Sequence, residues 1–153
     1  MAADESVFVE NLGLWESIAA IKQKIDTNGP YDVLLGISVS SPVITAATAW
    51  YQHEYGSVPW RCNFLFSPFS LRDNAFLATY MKKKIDFPHL LILGTGDPYW
   101  DHVSRSLVEY EKPNVFLHSD GHRFPRDKDV RLQICKALLS FHKPVREQIQ
   151  SRL

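Results

Sequence analysis

Four short, almost continuously apolar runs, each followed by a stretch with helical spacing, constrain the fold of this chain more than any other feature. The runs are residues 31–35, 61–67, 89–93 and 115–118. The helical stretches are 14–25 ahead of the first run, then 43–55, 75–83, 101–111 and 128–141. In the first, Leu14, Ile18, Ile21 and Ile25 share one stripe while Lys22 and Lys24 lie off it, the period of an amphipathic helix. In the last, Val130, Ile134, Leu138 and Phe141 repeat in the same way. Asn28-Gly29-Pro30 and Gly56 stand where helix stops belong. Strands that are apolar throughout, rather than in alternation, are buried on both faces. Alternation with helices then predicts an α/β fold: a parallel sheet of about four strands with helices on both faces.

Such a sheet gathers polar groups at the carboxyl ends of its strands. Ser38 follows the first run in Gly36-Ile37-Ser38-Val39-Ser40. Asp97 follows the third in Gly94-Thr95-Gly96-Asp97-Pro98, and His122 follows the fourth in His118-Ser119-Asp120-Gly121-His122. A strand, a sharp turn carrying serine and then a helix is the local pattern of a nucleophile elbow. A serine hydroxyl attacks a carbonyl only when a base can take its proton and an anion site waits beside it. The N–H groups at the start of the following helix offer such a site. Each residue also has a plainer use: Ser38 as a helix cap, Asp97 as a turn former before proline, His122 as a loop histidine. Phe69, Trp100 and Phe124 lie just past strand ends and are candidates to line a substrate pocket, or to act as packing aromatics. Gly94-Thr95-Gly96 has neither the spacing of a dinucleotide fingerprint nor a P-loop lysine beside it, so no cofactor is expected.

Composition excludes several classes of function. Apolar residues make up 45% of the 153 positions, enough for a packed core. Lys plus Arg and Asp plus Glu both number 17, so no net basic field recruits nucleic acid or an anionic membrane surface. Lys82-Lys83-Lys84 reads as the solvated end of a helix. Cys62 and Cys135 provide neither a disulfide framework nor a zinc set, and both sit in apolar sequence that suggests core packing. Met1-Ala2-Ala3-Asp4-Glu5-Ser6 lacks the apolar segment of a secretory signal, and no run reaches the length of a membrane span. An intracellular, reducing compartment, such as the cytoplasm, is the expectation. One metal alternative exists, His118-x-Asp120-x-His122, because alternation on a strand would put all three residues on one face. Gly121 argues for a turn there instead.

The chain resembles the eukaryotic family of serine hydrolases, within the α/β-hydrolases. Gly29-Pro30-Tyr31-Asp32 leading to Gly36-Ile37-Ser38 is similar to that family's GPYDG…GFSQG segment. Pro88-His89-Leu90 through Asp97-Pro98 is similar to the strand before its aspartate, and His118 through Pro125 to its histidine loop. The likeness runs from about Leu14 to Phe141. It implies Ser38 as nucleophile, His122 as general base, Asp97 as its orienting acid, and the Val39 N–H as an oxyanion donor. The implied reaction is hydrolysis of a small acyl ester or thioester through an acyl-enzyme. Val39 and Ser40 replace the family's Gln and Gly, and nothing before Leu14 matches the front strand and loop that supply a second oxyanion donor. A sheet lacking that front strand would leave residues 31–35 as an apolar edge. A second copy of the chain, a protein partner, or Ser6-Val7-Phe8-Val9-Glu10 is expected to cover it. The alternative function is a hydrolase-like subunit that binds rather than catalyses.

Overall fold

The computed structural model of the chain describes residues 13–140. The elements run α1 (Leu14–Asn28), β1 (Val33–Ile37), α2 (Ser41–Tyr55), β2 (Cys62–Phe66), α3 (Asn74–Tyr80), β3 (His89–Gly94), α4 (Trp100–Arg105), β4 (Val115–His118) and α5 (Lys128–Ser140). All four strands are parallel and stand in chain order, β1-β2-β3-β4. Ile37 lies opposite Phe66, Phe66 opposite Ile92, and Gly94 opposite His118. The four carboxyl ends therefore open onto one edge of the sheet.

The apolar strands separate into two cores by simple alternation. Leu65, Leu91 and Leu93 face the larger one, with Leu14 and Ile18 of α1, Ala46 and Ala47 of α2, Phe76 of α3 and Val103 of α4. Phe64, Phe66, Leu90 and Ile92 face the other way, against Ile134, Val130, Ala137 and Leu138 of α5. Helices thus cover both faces, four on one and one on the other among the described residues. Asn63 is the polar exception inside β2. It accepts from Trp60 Nε1 at 2.7 Å and donates to Thr48 Oγ1 at 2.8 Å, so its burial leaves the amide partnered.

Several expected boundaries move, each for a local reason. The first strand starts and ends two residues later than 31–35, because Gly36 and Ile37 still pair with Leu65 and Phe66. The helix expected over 101–111 ends at Arg105 and tightens into a 3-10 turn at Ser106–Glu109. There the buried Ser106 hydroxyl donates to the Val103 carbonyl at 2.7 Å, the local bond that competes with helix continuation. The helix over 75–83 ends at Tyr80, so Lys82-Lys83-Lys84 lies beyond it as exposed chain rather than on a helix end. Cys62 is buried as expected, but Cys135 is exposed. It follows Ile134 on α5, and one residue of helix turns it about 100° away from the inner stripe. Phe141 and the segment 6–10 lie outside the described residues.

Candidate active site

Ser38 is presented by a turn built almost wholly from its own neighbours. The backbone leaves β1 extended at Ile37, with φ −131°, and swings to φ +53° at Ser38. A left-handed conformation at a non-glycine residue is strained and concentrates at functional sites. The Ser40 hydroxyl clamps the turn: it accepts from the Ile37 N–H at 2.7 Å and donates to the Ile37 carbonyl at 2.8 Å. Gly36 is needed for close approach. A β-carbon there would stand 2.9 Å from Ile44 Cδ1 and 3.1 Å from the Ser41 α-carbon. Residues 38–40 form a single 3-10 turn that runs into α2. The first N–H groups of such a segment have no acceptor within it, and the Val39 side chain beside them is 70% exposed.

Asp97 and His122 come from the loops after β3 and β4, which touch backbone to backbone. The Thr95 N–H donates to the His118 carbonyl at 2.8 Å and the Gly96 N–H to the Asp120 carbonyl at 3.2 Å. At Gly94 a β-carbon would fall 2.2 Å from the Asp120 carbonyl oxygen, so only glycine fits between the loops. The Asp97 carboxylate is fully buried. Its Oδ1 accepts from the Tyr99 N–H at 2.8 Å and its Oδ2 from His122 Nδ1 at 2.8 Å. A carboxylate only accepts, so Nδ1 carries the proton and the far nitrogen is left as an acceptor. The Ser38 hydroxyl donates to that nitrogen, Nε2, at 2.8 Å. A hydroxyl aimed at an imidazole nitrogen, with a carboxylate fixing the tautomer from the other side, can pass its proton along that axis.

Two aromatic rings enclose the imidazole. Phe69 stacks on it with ring centroids 5.5 Å apart and planes at 29°, and Tyr99 meets it edge-on at 5.3 Å. Of the three aromatics offered as pocket lining, Phe69 lies on the imidazole, and Tyr99, which the sequence reading did not name, joins it there. Trp100 opens α4 at 37% exposure. The missed signal was the Asp97-Pro98-Tyr99 turn, whose Asp-to-backbone bond carries Tyr99 back toward the loop. Phe124 lies against Phe66 at 4.3 Å, over the end of β2, and is 47% exposed.

The metal alternative is not supported by the geometry. His122 spends both nitrogens on Ser38 and Asp97, Asp120 Oδ2 accepts from the Arg126 N–H at 2.9 Å, and His118 is buried at the end of β4. Among the described residues no group of His, Cys, Asp and Glu is placed to hold a metal ion. None of their helices is long and apolar enough to cross a membrane.

Comparison with known proteins agrees with the fold and adds a family. A solved structure from a study of two fungal esterases of Rhizomucor miehei superposes with a TM-score of 0.53 at 12% identity. The match covers 85% of this chain and 58% of that one, so this chain spans less than two thirds of its neighbour's length. A structure of YahD with malic acid gives a TM-score of 0.47 at 14% identity, covering 87% and 60% of the two chains. No curated protein matches by sequence. The profile of the serine hydrolase (FSH1) family matches residues 3–134, starting earlier than the stretch from Leu14 that carries the sequence resemblance. On that match, which spans most of its length, the chain belongs to the serine hydrolase (FSH1) family.

Proposed function

We propose that the chain hydrolyses a carboxylic ester or thioester through an acyl-enzyme, with Ser38 as nucleophile. The observation that carries this reading is the row Ser38–His122–Asp97, joined by two hydrogen bonds of 2.8 Å. Ser38 Oγ attacks the acyl carbon as His122 Nε2 takes its proton, and Asp97 supports the imidazolium. The Val39 N–H donates to the developing oxyanion. The tetrahedral intermediate expels the alcohol or thiol, which takes the proton back from His122. Water, activated by the same nitrogen, then releases the acid and restores Ser38. Phe69 and Tyr99 stand beside His122, where the leaving group departs, while Trp100 and Phe124 are more peripheral candidates for acyl contact. Intact-mass analysis after treatment with a fluorophosphonate tests the reading. One adduct on the native chain, absent from folded Ser38→Ala, is the expected result. An adduct that survives in Ser38→Ala would sink the assignment.

One observation favours a second reading, a hydrolase-like subunit that binds a partner or a second copy. Among the described residues β1 is an edge strand; Leu35 and Ile37 on it, and Val39 in the turn that follows, are 54%, 36% and 70% exposed. Open apolar edges invite pairing. Light scattering that shows a dimer or larger complex on folded chain, with no fluorophosphonate adduct, would favour this reading over hydrolysis.

A further inference from the structure

Glu109 is a buried carboxyl group that the proposed chemistry does not use. It closes the 3-10 turn Ser106–Glu109 and is 7% exposed. Its backbone is fixed, since its carbonyl accepts from the Ile85 N–H at 2.8 Å. The next residue, Tyr110, is fully buried with its hydroxyl 3.1 Å from Thr45 Oγ1. From this anchored base the side chain reaches the loop after β2, where Oε1 accepts from the Leu71 N–H at 2.5 Å. The Leu71 side chain is itself in the core. Phe69, two residues before Leu71, carries the ring stacked on His122.

We infer that Glu109 is a positioning residue: by holding the backbone at Leu71 it keeps Phe69 against the face of the His122 imidazole. The tether joins the β3–β4 connection to the β2–α3 loop, two segments whose sequences give no sign of contact. The loop continues into contacts of its own. Arg72 Nη2 lies 2.9 Å from His102 Nδ1, and Asp73 Oδ1 accepts from the Phe76 N–H to cap α3. Phe69 also meets Tyr99 and His102, with ring centroids at 5.8 and 6.3 Å, so the Glu109 bond fixes the backbone beneath a ring whose faces are set by aromatic neighbours.

The chemistry of the tether sets its pH range. Burial pushes the Glu109 carboxyl up to about 8, and the Leu71 N–H opposes this only in part. Its second oxygen has no hydrogen-bond partner among the described residues. The ionisable group whose charge couples to it is Tyr110, which burial keeps neutral. At neutral pH Glu109 is thus an uncharged acid that accepts the Leu71 N–H. Above about pH 8 it becomes a buried charge with no cation paired to it among the described residues, held by the Leu71 N–H alone.

The consequence for turnover rests on the hydrolase reading, whereas the tether itself does not, and the test separates them. His122 ring signals are followed by NMR in native chain, Glu109→Gln and Glu109→Ala, with Phe69→Ala as the reference for a lost stack. The proposal expects Glu109→Ala to move the His122 signals toward those of Phe69→Ala. It expects Glu109→Gln, whose amide oxygen still accepts, to leave them in place. Fluorophosphonate labelling should slow by roughly 10- to 100-fold in Glu109→Ala, the range for small misplacement of a reacting group, and recover in Glu109→Gln. Unmoved His122 signals in folded Glu109→Ala overturn the tether. Absent labelling in the native chain overturns the hydrolase reading instead. Should Glu109→Ala not fold, Glu109→Met, which fills similar space but offers no oxygen to the Leu71 N–H, replaces it. Its His122 signals should move toward those of Phe69→Ala, and unmoved signals overturn the proposal.

Discussion

Ser38 is placed by residues adjacent to it in sequence, whereas His122 is placed by segments scattered along the chain. Gly36, Ile37, Ser40 and Ser41 make the serine turn, closed by two bonds within four residues. The imidazole depends on Asp97 and Tyr99 after β3, on Phe69 after β2, and on the backbone contact between Gly94 and Asp120. A local device survives damage elsewhere, because its geometry is fixed by short-range sterics. A dispersed one fails when any contributor moves. In the proposed hydrolase the base is therefore the fragile half of the site and the nucleophile the robust half.

The largest expected effect attacks the dispersed half directly. Asp97→Asn keeps the shape but favours the wrong imidazole tautomer, and kcat on an aryl ester should fall by about 10⁴-fold. A loss under tenfold would remove Asp97 from its role. Next comes a contrast between two glycines. Gly94→Ala drives a β-carbon to 2.2 Å from a backbone oxygen and should cost about 3 kcal/mol in urea unfolding, the upper end for overpacking. Gly36→Ala meets first the flexible tip of Ile44 at 2.9 Å and should cost about 1–2 kcal/mol. The reverse order would show the serine turn to be the more demanding of the two.

Glu109→Gln sharpens the comparison through pH. The native Glu109 binds its proton up to about pH 8, while the unfolded chain releases it near the ordinary value of about 4.3. Between those limits the folded state holds the extra proton, so its stability declines as pH rises. Above the folded value the decline stops. Glu109→Gln lacks this slope, and its stability advantage over native chain should grow from pH 5 to pH 8. Parallel curves would show that the burial cost is relieved elsewhere. Ser40→Ala removes the clamp across the serine turn and should cost about 1 kcal/mol, with the Ser38 adduct still formed. The smallest effect is on reactivity alone. Burial pushes the Cys62 thiol up to about 11, so iodoacetamide at neutral pH should modify the exposed Cys135 first, with little change in stability.

The same contrast explains what the sequence shows and what it hides. Residues 115–118 are legible to the residue, because Pro113-Asn114 and Ser119-Asp120-Gly121 bracket Val115-Phe116-Leu117 and the His118 that ends it. The strand-end positions of Ser38, Asp97 and His122 follow from a parallel sheet, which apolar continuity alone suggests. The break of α4 at Ser106 is hidden, since helical spacing continues through a 3-10 turn without interruption. The placement of Tyr99 on the imidazole, and of Glu109 on the Leu71 backbone, depends on loop paths. No periodicity records those.

Strand order bears on how such a chain assembles during synthesis. Among the described residues each strand after β1 pairs with the one made just before it, so these four can join the sheet in the order in which they emerge. The histidine loop comes last among the parts that meet at Ser38. In the proposed hydrolase a nascent chain already displays its serine turn, yet stays chemically silent until the fourth strand docks.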